Sequence, residues 1–253
     1  MRVFSTQAIF VTMIVSADIN GTRIITQTHH AHIACYIGHH LKNDYKNAYF
    51  SDVIAAIAFH ETRETDFNYT RQLNDQGQPV SFDKPDVTET QLGQKAEQIL
   101  NGLKSRSLLV AALVCSHLKF LSPQVFEAGL VSKINCDLDK QAMKAYNLKA
   151  DSYNFLYGIV RFCDRLSLMI CQDEFPDANR SYEINDALGD TIHNLCDKEG
   201  ELIIDPWPFQ DNEIVINYEY HILKQRSFKN SETFYKAFKE SEIGFSKVTF
   251  KKS

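Results

Sequence analysis

"QTHHAHIACYIGHH", residues 27–40, holds five of the chain's nine histidines, and its reading decides the fold. Histidine is a modest helix former, and an imidazole placed in a core needs a partner. The apolar residues nonetheless keep helical spacing. His30, Ile33, Ala34, Ile37 and Leu41 fall at i, i+3, i+4, i+7 and i+11, which is one face of an α-helix. The stretch therefore reads as a helix over about 28–42 with His30 on its buried face. His29, His32, His39 and His40 fall mostly off that face. His30 has to meet something inside the protein.

Working outward, "IFVTMIV", "ADINGTR" and "IIT" read as two short strands around an Asn-Gly turn, a strong hairpin signal. On the other side, "SDVIAAIAFHE" reads as a second helix, with Ser51 or Asp52 placed to cap it. Residues 62–88 are polar, carry Gly77, Pro79 and Pro85, and lack periodicity, so they read as a long loop of the kind that often carries function. Helices are expected at about 88–103, 104–121, 123–146 and 150–172. After "CQDEFPDANR" the composition turns to Ile, Val and Tyr. "GELIIDPWPF", "EIVINYEYHILKQRSF" and "IGFSKVTFKK" read as strands, and "SETFYKAFKES" as a short helix. Strands from the two ends need partners, and each set is the obvious partner of the other. The expectation is a mainly α protein: a hairpin over 1–27, a multi-helix core over 28–175, and an α+β segment over 176–253. These form one compact unit with a small antiparallel sheet built from both ends. Trp207, between two prolines in "DPWPF", reads as a structural corner.

The chain has 253 residues, 44% of them hydrophobic and 23% charged, as in a soluble globular protein with a sizeable core. A net charge of −5 gives no basic field that would draw nucleic acid or an anionic membrane. The six cysteines form no C-x-x-C pair and read as free thiols of a reducing cytosol, so a cytoplasmic protein is expected. "AIFVTMIV" is too short to span a bilayer and lacks the marks of a signal peptide. Met13 is a second candidate start, which would make residues 1–12 an extension.

The helices share an oddity. Val53, Ile57 and His60 lie at i, i+4 and i+7, and Ile54, Ile57 and Glu61 continue that face. Leu109, Leu113, His117 and Leu121 run at i+4 spacing, and Tyr153, Tyr157, Val160, Asp164 and Leu168 form a stripe on the last long helix. His30, His60, Glu61, His117 and Asp164 are thus ionisable groups on faces otherwise meant for a core. A carboxylate buried alone costs several kcal/mol, on the order of 3–5. One divalent metal (Mn, Fe, Ni, Zn or Mg) would satisfy the whole set, because neutral imidazoles and carboxylates are its natural ligands. Separate pairs, such as Asp164 with Arg161 or Arg165 and His30 with a backbone carbonyl, are the alternative. "HETRE" is not a zinc-protease helix, since H-E-x-x-H requires histidine where Glu64 stands.

An H…HD…D arrangement on successive helices resembles the HD superfamily of metal-dependent phosphohydrolases. It resembles more closely an uncharacterised bacterial family that looks like a distant HD relative. The motifs that carry this likeness are "QTHHA" (27–31), "AIAFHE" (56–61), a serine–histidine motif at 116–117, "CDRLSL" (163–168) and "DPWPF" (205–209). The resemblance implies a helical HD-like domain with a metal held by His30, His60, Glu61 and Asp164. The departure is Glu61, where the family has aspartate; the extra methylene puts catalysis in question.

The function these features imply is metal-dependent hydrolysis of a small phosphoester or nucleotide, with Glu61, His117 and Asp164 as the catalytic groups. His117 would give a proton to the leaving oxygen or hold a second metal. Arg161 and Arg165 flank Asp164, and Arg63 and Arg71 lie in the long loop. Each is either a phosphate contact or an ordinary surface arginine. Phe67, Tyr69 and Phe82 would wall an apolar group or anchor the loop. Two alternatives stand beside hydrolysis: a catalytically inactive HD-like metal- or ligand-binding protein, and an interaction protein whose polar groups pair among themselves. The sequence leaves the oligomeric state open, a homodimer included.

Overall fold

The computed structural model describes residues 13–61, 72–81 and 88–253. The chain opens on a hairpin, β1 (Met13–Asp18) and β2 (Gly21–Thr26), in register from Met13 opposite Thr26 to Asp18 opposite Gly21. The loop itself is Ile19-Asn20, so Gly21 begins the return strand. Its φ of +151° and its crowding require glycine there, because a Cβ would stand 2.1 Å from the Leu223 carbonyl oxygen.

α1 (Gln27–His40) follows at once, capped by the Thr26 hydroxyl, which accepts from the His29 N–H at 3.1 Å. Its buried side holds His30, Ile33, Ala34 and Ile37, the face read from the spacing. α2 (Phe50–Phe59) starts without a side-chain cap. Asp52 instead accepts from the Ser107 hydroxyl at 3.0 Å, so neither Ser51 nor Asp52 serves as the expected cap. α3 (Glu89–Lys104) carries a Thr88/Gln91 capping box, and α4 (Leu108–Leu121) is capped by Ser107.

The expected helix over 123–146 is three pieces, α5 (Pro123–Glu127), α6 (Lys133–Cys136) and α7 (Leu138–Ala145). Gly129, at φ +69°, takes the left-handed conformation that ends α5. α8 (Ala150–Cys171) is the longest helix and the centre of the core; Leu156, Ile159, Val160, Phe162, Leu166 and Met169 along it have no solvent exposure. It packs on α1, α2 and α4. A helix buried on several sides is held rigidly, which suits it to carry a site.

The remaining elements are β3 (Ser181–Asn185), β4 (His193–Lys198), β5 (Glu201–Asp205), β6 (Glu213–Leu223), α9 (Ser231–Lys239) and β7 (Glu242–Lys251). All seven strands form one sheet in the order β1-β2-β6-β7-β5-β4-β3. The N-terminal hairpin joins β6 through Thr22, Arg23 and Ile24, so both ends of the chain share the sheet. The pairing of β5 with β7 is parallel, at Leu202–Phe250 and Ile203–Lys251; the rest are antiparallel.

This corrects the expected fold class. The protein is not mainly α with a small antiparallel sheet: the described residues are 47% helical and 24% strand, with a seven-stranded mixed sheet. β3 and β4, "SYEIN" and "HNLCDK", enlarge the sheet beyond expectation. They lie at its solvent-facing margin, where partial exposure permits polar residues and dilutes the strand signal.

The sheet fixes α1 in place. His29 Nε2 accepts from the Glu219 N–H at 3.2 Å, and the Tyr36 hydroxyl donates to the Val215 carbonyl at 3.2 Å. The "DPWPF" corner closes on the other end of α1. Phe209 bridges to Leu41, the Gln210 N–H donates to the His40 carbonyl, and the Trp207 indole donates to the Asp211 carbonyl. Among the described residues, no helix is long and apolar enough to cross a membrane.

Candidate metal centre

Four helices bring His30, His60, His117 and Asp164 together. His30 comes from the first turns of α1, His60 from the residue that ends α2, His117 from α4 and Asp164 from the middle of α8. All four are buried. His30 Nε2 lies 3.0 Å and His60 Nε2 3.2 Å from the same Asp164 oxygen, Oδ1. His117 Nε2 lies 3.8 Å from the other oxygen, Oδ2. The ligand atoms of His30, His60 and Asp164 all fall within 4.8 Å of one another, a group that could hold a metal ion.

The outer ring nitrogens determine what the inner ones offer. Ser167, one turn after Asp164, donates its only hydroxyl hydrogen to the Asp164 carbonyl at 2.8 Å. Its oxygen also lies 2.9 Å from His30 Nδ1, and on the other side of the ring His30 Nε2 is hydrogen-bonded to Asp164 Oδ1 at 3.0 Å. The Ile57 carbonyl, at the end of α2, accepts from His60 Nδ1 at 2.5 Å. Both imidazoles are thus anchored through Nδ1 and turn Nε2 to the carboxylate. This is the arrangement by which outer hydrogen bonds orient histidine ligands.

At 3.0 Å, His30 Nε2 can donate a hydrogen bond to the ionised Asp164 carboxylate in the metal-free protein. Burial pushes the His30 imidazole down despite Asp164, so it resists a second proton. Burial lowers His60 too, but the Asp164 and Glu61 carboxylates outweigh that and raise it to about 9. Burial alone would raise Asp164; the surrounding imidazoles, His117 first, hold it well below the usual carboxylate range, so it is ionised. The same donor set, two imidazoles once neutral and a carboxylate, suits a divalent metal, which would displace these protons. Among the described residues, His60 Nε2 has no partner of hydrogen-bond geometry, in keeping with such an ion.

Glu61 sits at the margin. Its Oε1 is 3.5 Å from His60 Nε2 and its side chain is 14% exposed, but it is outside the tight group of three. His117 is buried, and neither of its ring nitrogens has a hydrogen-bond partner among the described residues. Burial pushes it down to about 4, so it is neutral at pH 7. A neutral imidazole offers a hydrogen bond or a lone pair.

Arg165 does not offer its fork to the site, because it grips Glu174 through two bonds of 2.8 and 3.0 Å. Arg161 stays beside it, one turn before Asp164, with its guanidinium 4.4 Å over the Phe120 ring. Arg63, Arg71, Phe67, Tyr69 and Phe82 lie outside the described residues. The sequence reading missed Ser167, although a serine three residues after a buried aspartate was the available signal. It also missed the Ile57 carbonyl, which only the helix end reveals, and it read Tyr157 as ordinary core.

The fold and the site together define an α+β protein with a buried histidine–aspartate centre between four helices. The chain matches the family described as "Protein of unknown function (DUF3891)" over residues 13–225, and it belongs to that family. No curated protein and no solved structure matches it.

Proposed function

We propose that this chain is a divalent-metal-dependent hydrolase of phosphoester bonds, acting on a nucleotide or another small phosphoester. The observation that carries this reading is the pair of buried imidazoles, His30 and His60, whose Nε2 atoms converge on one oxygen of ionised Asp164. The likeness to HD phosphohydrolases supplies the reaction class. When bound, the ion would act as a Lewis acid and lower the pKa of water at an open coordination position. His30, His60 and Asp164 hold it; Glu61, beside His60, is placed to add a carboxylate or to orient the attacking water. Four helices keep bulk water from the buried side.

The test is metal analysis of the purified chain, followed by hydrolysis of bis-p-nitrophenyl phosphate and p-nitrophenyl phosphate with Mn²⁺, Ni²⁺ or Mg²⁺. The expected result is about one bound ion per chain and metal-dependent turnover. A chain that retains no metal after loading would overturn the reading. One that binds metal and turns over neither ester would be the inactive ligand-binding relative, the reading that the glutamate at position 61 favours.

A further inference from the structure

We propose that the Tyr157 hydroxyl is a substrate contact: with His117 and Arg161 it forms a donor wall that receives an oxyanion oxygen of a ligand held against the metal centre. The inference rests on the reading above and adds to it the groups that select the substrate's charge. Tyr157, Arg161 and Asp164 stand at i, i+4 and i+7 on α8, so they share one face. His117 faces them from α4, its ring 6.4 Å from that of Tyr157 and its Nε2 3.8 Å from Asp164 Oδ2. The Tyr157 hydroxyl, Arg161 Nε and both His117 nitrogens are buried atoms without a hydrogen-bond partner among the described residues.

Folded proteins rarely leave buried polar atoms unsatisfied, and four in one cluster beside a metal centre mark a place prepared for a ligand. The chemistry of that ligand follows from what the wall offers. A phenol and a neutral imidazole each give one hydrogen, and a guanidinium only donates. The complement is acceptor-rich and negatively charged: an oxyanion such as a phosphoryl group. Arg161 is held from behind, because Asn185 Nδ2 donates to its carbonyl at 3.1 Å and its side chain lies over Phe120. Gly158 lets the Ala187 carbonyl approach so closely that a Cβ would meet it at 2.0 Å, and so seats the loop that carries Asn185. A rigid wall loses little entropy on binding.

The experiment titrates inorganic phosphate, and acetate in parallel, into the full chain by calorimetry, both Mn²⁺-loaded and in EDTA. It compares wild type, Tyr157→Phe and Arg161→Gln, with metal content and melting temperature measured on the same samples. Tyr157→Phe removes only a hydroxyl that has no hydrogen-bond partner among the described residues. We expect phosphate affinity to fall roughly tenfold or more, as for a lost bond to a charged group, with the melting temperature equal or higher and metal content unchanged. Acetate should bind more weakly than phosphate; equal binding would mean that the wall does not select a phosphoryl group and would reject that part of the proposal. Unchanged phosphate affinity in Tyr157→Phe, or no phosphate binding by wild type in either state, overturns the donor wall. If Tyr157→Phe melts lower, Arg161→Gln decides by the same criterion. Absence of metal from wild type would reject the phosphohydrolase reading alone, since the EDTA titrations still test the wall.

Discussion

Ser167 Oγ stands 2.9 Å from His30 Nδ1 while its own hydrogen is committed to the Asp164 carbonyl 2.8 Å away. One hydroxyl thus reaches both the outer nitrogen of an imidazole and the backbone of the aspartate in the group that could hold a metal. Ser167→Ala should leave the fold intact and weaken metal binding by roughly 10- to 100-fold, the usual effect of losing an outer hydrogen bond to a metal ligand. Competition with a metal-responsive dye reads this directly. An affinity equal to wild type would mean that packing alone orients His30.

Asp164 is the only carboxylate in the tight group, and both its oxygens face imidazoles. Asp164→Asn keeps the shape and removes the charge. Metal content should fall to background. In the metal-free protein, the buried imidazoles lose their anion, so stability should drop by about 3–5 kcal/mol, as when one partner of a buried pair is removed. Urea unfolding in EDTA measures the second effect separately from the first. A variant as stable as wild type would show that the carboxylate gives the metal-free fold nothing.

The histidines also predict how stability depends on pH. His60 is raised to about 9 in the fold, so its contribution is fully present below about 6.5 and is lost as pH climbs through 9. His117 is lowered to about 4. The unfolded chain takes up a proton near 6.5 that the fold refuses, so stability is lost as pH falls from about 6.5 toward 4. Metal-free protein should therefore melt highest near neutrality and lower on both sides. Metal requires His60 neutral, so above pH 7 this loss should vanish: metal-loaded protein should hold its melting temperature where metal-free protein loses it. Parallel melting curves from pH 5 to 9.5 with Mn²⁺ or EDTA test this. Parallel slopes above pH 7 would place His60 outside the ligand set.

How much of this was legible in the sequence varied with the kind of signal. Helical spacing put His30, His60, His117 and Asp164 on buried faces, and the structure gathers them in one core. It could not rank them: only distances show His30 and His60 sharing one carboxylate oxygen while His117 faces the other. Arg165 looked available because its partner Glu174 sits beyond the end of α8, in a turn without periodicity. The sheet was underestimated because β3 and β4 are short and polar, and a strand is recognised by an apolar alternation they lack. The breaks inside 123–146 depend on single residues, Gly129 among them, that apolar patterning over a longer window overrides.

Glu61 carries the last prediction. Its carboxylate lies 3.5 Å from His60 Nε2, yet His30, His60 and Asp164 form a ligand group without it. Glu61→Ala should therefore weaken metal binding without abolishing it, in contrast to Asp164→Asn. Hydrolysis should fall much further than affinity, because a carboxylate that orients the attacking water acts on turnover rather than on binding. Glu61→Asp restores the residue found in the resembled family and should keep or raise turnover of bis-p-nitrophenyl phosphate. Metal content and kcat, measured on the three proteins, separate the cases. Equal loss of both in Glu61→Ala would make Glu61 an ordinary ligand. Metal binding without turnover in wild type and in Glu61→Asp alike would mean that the chain keeps the site but not the reaction. A drop in melting temperature with metal and kcat unchanged would leave Glu61 as no more than the partner that helps hold His60 charged in the metal-free fold.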